Sequence, residues 1–160
     1  MSKIKVVHYI NQFFAQVGGE EMAHISPYKQ AGVIGPGLAL KQGFGDEAEI
    51  VSTIVCGDSY FNEHLEQAKA EILNMVREEN PDLFIAGPAF NAGRYGVACA
   101  TICDAVQNEL GIPVLTGMYV ENPGADMFKQ KIYIISTKNN AAGMRGAIKP
   151  VSYTHLTLPT

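Results

Sequence analysis

The chain has 160 residues, 47% of them apolar and 18% charged, with a net charge of −4. That length and apolar share suffice for one globular domain with a sizeable core, whereas the slightly acidic balance lacks the basic stripe that nucleic-acid binding uses. The apolar runs are far shorter than a membrane span and the Met1–Lys5 start lacks the apolar stretch of a secretory signal, so the sequence reads as a cytoplasmic protein with neither nucleic acid nor membrane as partner.

Ile4–Ile10 is rich in β-branched and aromatic residues and predicts the first strand. The stretch that follows, Asn11 to Ile34, has glycines, a Glu pair and no clear period. It is read as a long loop folding over the carboxyl edge of a sheet, ahead of a short helix at Leu38–Gln42. A second strand is expected at Ile50–Val55. After it Phe61, Leu65, Ala68, Ile72 and Met75 recur at steps of four and three, the spacing of one helical face, until Asn80-Pro81 ends the helix. Leu83–Ala86 predicts a third strand. Val97, Ala98, Ile102, Ala105, Val106 and Leu110 then mark a further helix, with Gly111 placed as its C-terminal residue of positive φ. Pro113–Thr116 and Lys131–Ile135 complete a set of about five strands. "STKNNAAGMRG" opens the next helix.

Strands alternating with helices of this length call for parallel pairing through crossovers. The expected fold is therefore α/β, an open, doubly wound and mainly parallel sheet, flavodoxin-like or Rossmann-like in order, with sugar-isomerase-like and periplasmic-binding-like arrangements as variants. Residues 1–150 form the expected domain. Residues 151–160, "VSYTHLTLPT", are uncharged and aperiodic, and Val151–Leu156 resembles a translated transposase end sequence of the kind used to build sequencing libraries. They are read as a non-native read-through tail on a truncated longer chain.

In such sheets ligands bind where strands end and helices begin. The junctions here are "NQFF" with "VGGEE", then "CGDSYFN", "GPAFNAGRYG" and "GMYVENPG". In the third, Asn91 is a candidate N-cap, Gly93 leaves the helix start open to close approach, and Tyr95 offers a hydroxyl or a ring face. Arg94 stands near the positive end of the helix, where the macrodipole prefers anions. Two readings stay open for it. It forks onto an anion such as a substrate carboxylate, or it pairs with an acid such as Glu121 or extends into solvent. The candidate anion site comprises Asn91, Gly93, Arg94, Tyr95 and Glu121, with the Gly18-Gly19-Glu20 loop and the "YVENPG" turn closing its other sides.

Three cysteines are too few for a disulfide framework. Cys99 and Cys103 lie one helical turn apart, but no second pair or suitably spaced histidine completes a metal site, so they are assigned to the core. Cys56 ends the second strand, either buried there or meeting a ligand. His8 is expected in the core or at the sheet edge, His24 in the long loop, His64 on the surface, and Arg77-Glu78-Glu79 at a solvated helix end. No Gly-x-Gly-x-x-Gly follows the first strand, which argues against a dinucleotide.

"HYINQFFAQVGGEE", "GPGLAL", "GDEAEIVSTIVCGDSYFNE", "PDLFIAGPAFNAGRYGVAC", "TGMYVENPG" and "NAAGMR" together resemble the front of the component B subunit of the glycine, sarcosine and betaine reductases, a selenoprotein complex of anaerobic amino-acid-fermenting bacteria. The resemblance runs from His8 to Arg145. It implies reductive cleavage of the C–N bond of glycine or an N-methylated derivative. The amine leaves, a carboxymethyl group passes through selenium to selenoprotein A, and component C releases acetyl phosphate. It further implies a pyruvoyl-bearing partner subunit that activates a primary amine as a Schiff base. In the family the selenocysteine lies in the later half of the subunit, and nothing in this sequence corresponds to it, so no catalytic residue or cofactor is assigned and the chain alone is expected to be inactive. The reading of another class is a non-catalytic flavodoxin-like module for a small anion or nucleotide.

Overall fold

The computed structural model describes residues 3–119 and 121–137. The elements in chain order are β1 (Ile4–Asn11), a 3-10 turn at Glu20–Met22, β2 (Tyr28–Ala31), α1 (Gly37–Phe44), β3 (Ala48–Cys56), α2 (Asp58–Glu63), α3 (Leu65–Glu79), β4 (Leu83–Ala86), α4 (Gly93–Leu110), β5 (Val114–Tyr119), α5 (Pro123–Phe128) and β6 (Tyr133–Thr137). They build one sheet in the order β2-β3-β1-β4-β5-β6. Every pairing is parallel except that of β2 with β3. Without β2 the order is the flavodoxin-like one, with the first and second parallel strands exchanged relative to the chain.

The period-2 geometry of strands divides the core between the two faces. In β4, Leu83 and Ile85 pack with Leu40 and Phe44 of α1, whereas Phe84 and Ala86 pack with α3 and α4 residues such as Ile72, Val76, Ile102 and Val106. β3 changes sides partway. Val6 of β1 pairs with Ile50, but Val7 pairs with Ser52, so Val51 is an extra residue. Such a bulge inverts the alternation. Ile50 accordingly lies on the α1 face while Ile54 and Cys56 lie on the other. The end of β3 is thereby re-aimed just where it enters α2.

Three sequence expectations are corrected. The first crossover is only partly loop, because residues 28–31 add an antiparallel sixth strand along β3, with Lys29 Nζ 3.1 Å from both Glu78 and Glu79. The run at residues 77–79 therefore anchors β2 as well as facing solvent. The helix expected through Phe61 and Leu65 breaks at His64 into α2 and α3, so Phe61, Ala68 and Ile72 are buried but Leu65 is 39% exposed. The last strand begins at Tyr133 rather than Lys131. Other punctuation holds. Asn80 (φ 48°) and Gly111 (φ 67°) end α3 and α4 in the left-handed conformation. The helix expected after "STKNN", the tail 151–160 and the truncation lie outside the described residues. Among the described residues no helix is long and apolar enough to cross a membrane.

Candidate functional site

A cleft of about 590 Å³ opens at the carboxyl edge of the sheet. Its walls are Asn11 to Phe14 at and just beyond the end of β1, Gly19 and Glu20 from the long crossover, Asp58 at the start of α2, and Ala89 to Tyr95 leading into α4. The crossover is fastened over it by the backbone. The Ala23 carbonyl accepts from the N–H groups of Ser59 and Tyr60 at 2.8 and 3.0 Å, and Gly57 N–H donates to the Ile25 carbonyl. Gly57 is obligatory here, since a Cβ on it would lie 2.2 Å from the Ala23 carbonyl oxygen. That fastening brings Glu20 over the cleft.

Arg94 lies at the mouth, its side chain 44% exposed. Its Nη1 donates to Ser59 Oγ at 2.6 Å and its Nη2 to Glu20 Oε1 at 2.5 Å. The acid that offsets the unfavourable helix position is thus Glu20 and not Glu121, which is exposed in the turn before α5 and does not line the cleft. Asn91 is also corrected as a cap. α4 begins at Gly93 with Ala92 in the cap position, and among the described residues no side chain caps its first-turn N–H groups. Those donors border the cleft beside Arg94, an arrangement that favours an anion.

Gly93 lines the cleft as expected, but its space is not required, because a Cβ there meets only Pro123 Cγ at 3.7 Å. The demanding glycine of "GRYG" is Gly96. A Cβ on Gly96 would sit 2.0 Å from Oδ1 of Asn122. Asn122 is fully buried and joins two elements: its Oδ1 accepts from Gly124 N–H as the cap of α5, and its Nδ2 donates to the carbonyls of Phe90 and Ala92 at 3.0 and 3.1 Å. The "ENPG" turn therefore does not close the cleft. It supports from behind the loop that does, in which Phe90 is held at φ 51°. Tyr95 is buried under the cleft with its ring 5.6 Å from that of Phe14, and Phe14 in turn lies 6.2 Å from Phe90. This gives the cleft an aromatic side.

Asp58 is the residue that sequence reasoning passed over. It is 7% exposed. Its Oδ2 accepts from Asn11 Nδ2 at 2.9 Å and its backbone N–H donates to Gln12 Oε1 at 3.2 Å, while Oδ1 is buried without a partner. Asn11 is oriented by accepting from Phe14 N–H at 2.9 Å. Burial pushes the Asp58 carboxyl up from 3.8 to about 6, against the opposing pull of the Asn11 hydrogen bond and the Arg94 charge. The signal in the sequence was an acid directly after glycine at a strand end, within "CGDSYFN".

The thiols are core residues. Cys56, Cys99 and Cys103 are all free and buried, and burial raises each thiol, Cys56 to about 12. Among the described residues no cluster suits a metal ion. His8 is buried with Nε2 2.6 Å from the Gly87 carbonyl, His24 pairs with Glu63 on the surface, and His64 is exposed at the break between α2 and α3.

Residues 3–158 match the family described as glycine/sarcosine/betaine reductase selenoprotein B. The chain is 63% identical over 148 residues to the glycine reductase complex component B subunit gamma of Peptoclostridium acidaminophilum, covering 92% of this chain and 34% of that protein. It is 59% identical over the same length and shares to the sarcosine reductase complex component B subunit beta of that organism. With its betaine reductase complex component B subunit beta the identity is 44% over 141 residues, 88% of this chain and 32% of that protein. The chain thus spans about a third of the length of the curated relatives it matches. No solved structure matches it.

Proposed function

Because the chain belongs to the glycine/sarcosine/betaine reductase selenoprotein B family, we propose that it is the amino-terminal α/β domain of a component B subunit and that its cleft holds a small amino acid for reductive C–N cleavage. On this reading a selenol outside these 160 residues supplies the nucleophile and a pyruvoyl group on a partner subunit engages a primary amine, with selenoprotein A and component C taking the product onward. The chain's own thiols do not suit the nucleophilic task, since burial holds all three protonated. Its contribution is to bind and orient.

The observation that carries this reading is the state of Arg94. Its fork stands at the cleft mouth beside an uncapped helix start, and one of its two partners is Glu20, whose side chain is 73% exposed. An exposed ion pair of this kind contributes at most about 1 kcal/mol, so a substrate carboxylate exchanges with Glu20 at little cost and gains the planar fork and the N–H groups of α4. Arg94→Ala is expected to raise the dissociation constant for glycine or sarcosine roughly ten- to hundredfold, since a charge-assisted hydrogen bond contributes about 1.5 to 3 kcal/mol. Arg94→Lys weakens binding as well, because a point charge does not reproduce the fork. Calorimetric titration beside a thermal melt checks both. Unchanged affinity in a folded Arg94→Ala protein refutes the assignment, and lost stability with intact affinity makes Arg94 a structural ion-pair partner.

A further inference from the structure

Asp58 has every attribute of a fixed acceptor and lacks the donor. Asn11 at the end of β1 donates to Oδ2, and Gln12, the next residue, accepts from the Asp58 backbone N–H. Arg94, the cation whose charge acts on Asp58, is committed through both terminal nitrogens to Ser59 and Glu20. Asp58 lines the cleft, and its Oδ1 is buried without a partner. A buried carboxylate oxygen without a donor is costly, and a ligand that donates to it at the cleft relieves that cost. Ser59, the residue after Asp58, bonds the Arg94 guanidinium, so the anionic and cationic ends of the site stand about one side chain apart. The complement of such a pair is a short zwitterion.

Taking the cleft as the substrate site, as argued above, we propose that Asp58 is the specificity-determining acceptor for the substrate amine: its Oδ1 receives one N–H of an ammonium whose own carboxylate lies on Arg94. A small amino acid with at least one N–H satisfies both ends. A quaternary ammonium has no N–H to give, and it rests on the aromatic side formed by Phe14 and Phe90 instead. The site therefore favours primary and secondary amines over their trimethylated counterpart.

The test uses the full chain titrated calorimetrically with glycine, sarcosine, betaine and acetate, each variant being checked by its melt. Asp58→Asn keeps the shape of the side chain and should weaken glycine and sarcosine at least tenfold while leaving acetate within about twofold. Asp58→Ala, which removes the acceptor outright, should do the same. Undiminished glycine binding in either folded variant, or an equal loss for glycine and acetate, overturns the inference. Arg94→Ala separates the two levels of the argument. If it abolishes acetate binding while Asp58→Asn leaves glycine untouched, the cleft assignment stands and the role of Asp58 falls. If neither variant changes any ligand, or the unmodified chain binds none of them, both fall.

Discussion

Gly96→Ala is expected to destabilise the protein by about 3 kcal/mol or more. The added carbon would lie within 2.4 Å of three side-chain atoms of Asn122, a residue with no accessible surface into which to retreat. If Asn122 moves, the cap of α5 and both bonds to the Phe90 and Ala92 carbonyls are lost, leaving buried polar groups unpaired. If α4 moves instead, its start leaves the cleft, so the change also impairs binding. Gly93→Ala, three residues earlier on the same helix, is the control. It meets only an ordinary contact and should leave the melting temperature unchanged or slightly raised. Denaturant unfolding of Gly96→Ala, Asn122→Ala and their combination should show a double variant far more stable than the sum of the two losses predicts, since removing the carboxamide removes the clash. Simple additivity would mean the two residues are not in contact.

Asp58→Asn should raise stability at pH 7 to 8 by about 1 to 2 kcal/mol while impairing binding. A carboxyl pushed from 3.8 to about 6 costs about 3 kcal/mol when ionised, from which the new amide's unpartnered N–H subtracts about 1 to 2. The sign of the pH dependence follows from linkage. The folded pKa of Asp58 lies above its unfolded value, so its contribution is complete below pH 3.8 and is lost as pH rises through 6. His8 slopes the other way. Burial lowers it from 6.5 to about 4, so its contribution is complete above pH 6.5 and is lost as pH falls toward 4. The two nearly cancel between about pH 4 and 6 in the unmodified chain. In Asp58→Asn the His8 slope is uncovered, and the stability difference between variant and parent should grow by about 3 kcal/mol from pH 4 to pH 7. Parallel profiles would show that Asp58 carries no raised pKa.

Asp58 is costly where it stands and is nevertheless positioned by two carboxamides, as the proposed acceptor role requires. Its setting was illegible in the sequence because Asp58 is hydrogen-bonded by Asn11 and Gln12, 47 and 46 residues away in the chain. The Arg94–Glu20 pair, spanning 74 residues, was hidden for the same reason. The parallel strands were legible because each is an apolar run bounded by turn residues. β2 was not, since Tyr28-Lys29-Gln30-Ala31 is a short polar edge with three exposed residues and owes its conformation to β3. The glycines of "GRYG" announced close packing, but only the approach of α5 distinguishes Gly96 from Gly93.

That inconspicuous edge strand has its own consequence. Without it, β3, nine residues long and mostly buried, would border the sheet and offer its backbone as a template for pairing with another molecule. The first crossover instead covers that border with four residues, one of them a lysine held by two glutamates. The same connection therefore serves in two capacities: its first half builds a wall of the cleft, and its second half keeps β3 from recruiting a neighbour, a safeguard that matters most in a crowded cell or while the chain is still folding.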